Sequence, residues 1–350
     1  MDESTRRRRH RATYDVESSD LSSAQIATFR GICDGLHAGT LVYLRRRRLR
    51  GYSLRVVLTH DLAASVNDRW ASLCPDAPEY TTVRAAGTAV GKMFRPRTAA
   101  EPFTVMLDDR QWLTQEEGVP PNVVANIAHE MAHCMIDVCR GDPSTPTTTN
   151  SLECGEFHAR WIVREALDEY RADIISNSLL MSVTQATGGE AVTLVQLYEA
   201  FGLDPGDRLS QTLSDVVHPG WPDRIQAYRD EQVALEDMWE GLVQSSWEVL
   251  VAIAHAAALA WLAKEPDPIC SSYAEEPGVS LYLLKPWCCM LDMLSETAPL
   301  PTPRRLARMD GRARSEGVES LLDMWAMLGI TFEPLSGGGT FIHVAAPKRG

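Results

Sequence analysis

The sequence predicts an α+β protein, mainly helical, with a small β-sheet beside a helix that carries H-E-x-x-H and a helical extension toward the C-terminus. Three observations carry this expectation. Short runs rich in β-branched residues read as strands, LRVVLT at 54–59 and FTVML at 103–107, the second just before a helix that carries two histidines. Through most of the rest, apolar residues recur every three or four positions, the period of a helix with one buried face. Finally, the segment PPNVVANIAHEMAHCMIDVCR at 120–140 combines that period with two histidines four residues apart.

Taken in order, residues 1–20 are polar and predict a disordered basic arm. Residues 22–36 predict a helix with Ile26, Phe29, Ile32, Cys33 and Leu36 on one face and Gly39 beyond its end. The four arginines at 45–48 predict a basic ridge or loop. A strand at 54–59, a helix at 62–73 and an irregular strand pair at 83–94 follow, the last containing two glycines. The strand at 103–107 precedes the histidine helix closely. It offers either an edge for an extended peptide or an internal strand. Beyond the Pro/Thr-rich loop after Arg140, a long helix is expected at 155–183, with Phe157, Trp161, Ile162, Leu167, Tyr170 and Ile174 at helical spacing. Shorter helices are expected at 192–201 and 208–216. Residues 223–263 read as helical over most of their length, and further helices are expected near 281–294 and 321–328. A hairpin around Ser-Gly-Gly-Gly closes the chain.

The 350 residues carry a net charge of −13, yet the first 55 hold twelve arginines and six acids. A basic arm on an acidic body either folds back on that body or reaches nucleic acid or an acidic partner. The N-terminus lacks the apolar core of a secretory signal. The longest apolar run, 249–263, falls short of the ~20 residues of a membrane span, so no membrane insertion is expected. Eight cysteines without a C-x-x-C pair fit reduced thiols in a cytoplasmic protein.

Chemistry concentrates at His129-Glu130-Met131-Ala132-His133. On a helix, positions four apart lie one above the other, so both imidazoles can grip one zinc ion while Glu130 handles a proton of the attacking water. A third ligand is then required. The extension H-x-x-G-x-x-H fails, because Ile136 and Cys139 stand where glycine and histidine are needed. A glutamate from a second helix is the alternative. In EALDEYRAD at 165–173, Glu169 and Asp173 share one helical face, with Glu165 a turn earlier as a fallback ligand. Glu169 would bind zinc and Asp173 would orient a ligand histidine. Downstream, His218 and Arg224 in VHPGWPDRI occupy a proline-restricted turn into a helix, where such groups can stabilise an oxyanion.

Together, HEMAH, EYRAD and the His-Pro…Arg element resemble the soluble catalytic core of gluzincin peptidases related to HtpX and the CAAX prenyl endopeptidases. The middle motif is also similar to that of ImmA/IrrE-type metallopeptidases. The likeness covers about residues 120–230 and lacks the membrane helices of the first group. It implies a zincin-like domain at 21–235, a helical region at 236–350, and one Zn2+ per chain on His129, His133 and Glu169. It further implies Glu130 as general base, Asp173 behind a ligand, His218 and Arg224 assisting the transition state, and a peptide or protein as substrate. A weaker similarity to SprT-like proteases would make His158 the third ligand instead. From a different class, a non-catalytic zinc protein whose basic arm binds nucleic acid or a partner is the rival expectation.

Overall fold

The computed structural model describes residues 12–17, 21–73, 80–84, 87–88, 90–98, 101–112, 121–141, 154–186, 191–200, 205–295, 302–336 and 339–347. The arginines at 6–9 and the loop at 142–150 lie outside these. Mainly helical with a small mixed sheet, the chain forms two compact units. One comprises Met1–Thr145 and Ala172–Gly202, the other Pro146–Arg171 and Leu203–Gly350. The boundary expected near 235 falls inside the second unit.

In the first unit, a four-stranded sheet is built from β1 (Ala12–Val16), β2 (Leu54–Thr59), β5 (Gly91–Phe94) and β6 (Phe103–Asp108). Across the sheet their order is β1-β2-β6-β5. The pairs β1–β2 and β2–β6 are parallel, whereas β5 runs antiparallel to β6. Residues 12–16 therefore do not belong to a disordered arm. Paired alongside β2, Ala-Thr-Tyr-Asp-Val becomes a strand, with Asp15 bonded to Arg55 at 2.5 Å. Here tertiary pairing overrides a polar local sequence. The strand β6 is internal, which removes it as a docking edge; β5 takes that position.

The helix α1 (Ser23–Arg46) begins at Ser22, whose hydroxyl caps Gln25 N–H while the Gln25 amide returns a bond to Ser22. It runs past Gly39, where nothing crowds the α-carbon, and ends ten residues later than expected. Arg45 and Arg46 thus form its last turn, where cations complement the exposed carbonyls. On one sheet face, Val57, Phe94 and Met106 pack with Leu62 and Val66 of α2 (Leu62–Leu73). Between α2 and β5, β3 (Val83–Arg84) and β4 (Gly87–Thr88) form a two-residue pair. The helix α3 (Pro121–Arg140) lies against α1, β5 and β6. Pro121 starts it, a place where a missing N–H costs nothing; Asn122 lies inside the helix with its buried Oδ1 unbonded.

The helix α4 (Cys154–Ala186) passes without a break through the division at residues 171–172. After it, α5 (Leu194–Ala200) completes the first unit, tied by Leu194 N–H to Asn177 Oδ1 at 2.7 Å.

The second unit is helical, with α6 (Pro205–Thr212), α7 (Gly220–Arg229), α8 (Leu235–Ala263), α9 (Pro268–Ser271), α10 (Leu284–Ser295), α11 (Pro303–Arg312) and α12 (Val318–Met327). The stretch 223–263 is helical over most of its length, as expected, in two helices separated at 230–234, where Glu231 has φ of +58°. By length and composition, α8 is the one described helix apolar enough to cross a membrane, but fifteen of its residues are buried in the fold. Trp239 packs edge-on against Trp325 and Phe332, the latter in the closing hairpin of β7 (Ile330–Pro334) and β8 (Thr340–Val344). Phe157 and Trp161, expected in the buried stripe of α4, are instead exposed, and Trp161 stacks on Trp247 with ring centres 5.6 Å apart.

Candidate metal centre

The burial pattern of α3 explains its polar stripe. Val123, Ile127, Ala128, Met131, Ala132, Met135 and Ile136 are buried, leaving Asn126, His129, Glu130 and His133 half-buried on one side. The Nε2 atoms of His129 and His133 face each other at 3.1 Å. Two nitrogen ligands at ~2.05 Å from a tetrahedral zinc would stand about 3.3 Å apart, so the pair already has the spacing of a chelate. A carboxylate oxygen of Glu169 completes the cluster, the three ligand atoms lying within 4.8 Å of one another. This group can hold a metal ion.

One turn along the same helix as Glu169, buried Asp173 places Oδ1 2.9 Å from His129 Nδ1. Because the ionised carboxylate only accepts, Nδ1 donates and Nε2 keeps its lone pair toward His133. Cys134 and Cys139 take no part. Both are buried outside the cluster, and burial pushes the Cys139 thiol up to about 11 and the Cys134 thiol well above its usual range.

Two neighbours of this cluster carry no signal in the sequence. A β-carbon built on Gly91 would stand 2.9 Å from both Cγ and Oε1 of Glu130, so the bare strand leaves the space that Glu130 fills. Arg95, just past the end of β5, is paired with Asp137 of α3, fixing strand to helix a second time. The other neighbour is His255 of α8, with Nε2 3.8 Å from Glu169 Oε2.

Not every expected residue is brought here. Arg224 packs over Gly241, so closely that a β-carbon there would meet its guanidinium. Gly241 and His255 are fourteen residues apart on α8, about 21 Å at ~1.5 Å per residue, which separates Arg224 from Glu169. His218 is exposed beside Gly278, preceding a cis bond to Pro219. His158 packs edge-on against Trp239 with ring centres 5.7 Å apart. It lies eleven residues, about 16 Å, before Glu169 on α4, which removes it as an alternative ligand. Glu165 is absent from the cluster.

No protein-family model matches the chain, and searches of curated proteins and of solved structures return no similar protein.

Proposed function

We propose that the chain is a zinc-dependent peptidase of gluzincin type, cleaving a peptide or protein substrate in the cytoplasm. The observation that carries this reading is the convergence of His129, His133 and Glu169, with Asp173 fixing the tautomer of the first. The donor set suits zinc, two imidazoles and one carboxylate leaving a fourth position open. When bound, zinc would supply a Lewis acid for the substrate carbonyl and lower the pKa of water toward ~7. Glu130, adjacent to His129 and half-buried, takes the proton of the attacking water and delivers it to the leaving amine. Gly91 keeps Glu130 in reach of that water. As the terminal strand of its sheet, β5 presents its outer backbone groups to an extended substrate, while Gly91 on the same strand marks where the scissile bond would lie. His218 and Arg224 have no part in this reading. The free thiols, among them buried Cys33, Cys134 and Cys139, fit a reducing compartment.

The test combines metal analysis with turnover. Purified protein should carry one zinc per chain and cleave members of a mixed peptide library. Glu130→Gln should retain the zinc and lose ~10²–10⁴ in turnover. Full cleavage by that variant, or no zinc even after supplementation, would sink the proposal.

A further inference from the structure

The helix α8 is apolar through VLVAIAHAAALAWL, and His255 is the one ionisable residue in that run. Its side chain is half-buried, on the side of α8 that faces Glu169 rather than among the buried apolar residues. Its Nε2 points at the Glu169 carboxylate, 3.8 Å from Oε2, close enough for a small side-chain rotation to close a hydrogen bond. A carboxylate that binds a metal through one oxygen has the other left over, and ligating carboxylates are commonly steered by a donor on that second oxygen.

We propose that His255 is the positioning residue for Glu169. It donates Nε2–H to the carboxylate oxygen that does not hold metal and thereby aims the other at the two histidines. Asp173 does the corresponding work behind His129. The helical region beyond residue 235 is then part of the metal centre, through one side chain. This inference rests on the metallopeptidase reading and names the residue that orients its third ligand.

The experiment measures zinc dissociation constants of the full-length protein by competition with a chromophoric chelator. H255F keeps a ring in the packing and removes the donor; H255Q restores an N–H at similar reach. H255F should bind zinc ~10–100-fold more weakly than wild type, with H255Q recovering most of the loss. Both should match the wild-type apo protein in far-UV circular dichroism. In an E169Q background, H255F should add nothing further, because its effect passes through Glu169. Wild-type affinity in H255F, or the same loss with and without Glu169, would overturn the assignment while leaving the peptidase reading intact. A wild-type protein that binds no zinc would overturn both. Co2+ substitution adds a spectroscopic readout: the visible absorption band should shift in H255F and return in H255Q.

Discussion

The two units bury polar groups in different ways. Among its described residues, the first encloses four aspartates, Asp108, Asp109, Asp137 and Asp173. Among its described residues the second encloses one, Asp168, held by Arg171 at 3.0 Å, and it buries indoles instead. Trp221, Trp287 and Trp325 are fully buried there, each N–H bonded to Ser245, Asp267 or Ser246. Within the first unit the four aspartates divide again. Asp108 and Asp137 face arginines, whereas Asp109 faces His60 and Asp173 faces His129. An arginine only donates and keeps its charge, so such a pair stabilises without offering a ligand. A histidine held through Nδ1 still presents Nε2. At His129 that atom meets a second imidazole nitrogen, and a hydrogen bond from an imidazole to a buried carboxylate becomes one arm of a group that can hold a metal ion. What marks a candidate site is the bonding capacity left on the partner, rather than the buried acid.

The comparison can be broken most sharply at Gly91. Gly91→Ala should lower turnover ~100-fold by pushing Glu130 aside, with zinc content unchanged, as metal analysis beside a peptide-cleavage assay would reveal. Next comes the contrast between buried aspartates. Asp173→Asn should weaken zinc binding ~10–100-fold, since a neutral amide no longer fixes the His129 tautomer, whereas Asp109→Asn should leave the chelator titration unmoved. In the second unit, Trp325→Phe strips a partner from buried Ser246. It should cost about 1–3 kcal/mol in urea unfolding without altering zinc affinity. The smallest effect concerns His158, whose pKa is lowered from 6.5 by burial. Below pH 6.5 the unfolded chain binds more protons at this residue than the folded one does. Stability from this group is therefore intact above 6.5 and declines as pH falls below it. His158→Phe should flatten that part of the melting-temperature profile between pH 7.5 and 5.

Helical periodicity explains why so much of the site is legible in the sequence. Spacing of three or four residues converts directly into shared faces, so His129, His133, Glu169 and Asp173 can be read from it, as can the extent of α2. Partnerships across separate elements have no such rule. In the sequence Gly91 is one of two glycines in an irregular strand, and only the packing of β5 on α3 gives it meaning. His255 sits in an alanine-rich apolar run, and its neighbour lies on a different helix. Arg224 misleads for the complementary reason: a suggestive local context puts it near the chemistry, whereas the absent side chain of Gly241 draws its guanidinium elsewhere. The polar composition of β1 hides it, since its strand character comes from pairing with β2.

The unbroken course of α4 through both units bears on how the protein can be taken apart. Each unit is assembled from two separated stretches of chain, so neither corresponds to a single cloned fragment. A truncated chain ending near residue 202 would retain every motif residue, from His129 to Asp173. It would nevertheless lose Trp239, Trp247 and His255, the neighbours of His158, Trp161 and Glu169. Deletion mapping would then score the C-terminal half as indispensable and invite its description as a regulatory module. What such a truncation would remove is the packing around the helix that carries the candidate ligand Glu169. Point substitution, rather than dissection, is the informative genetics for this architecture.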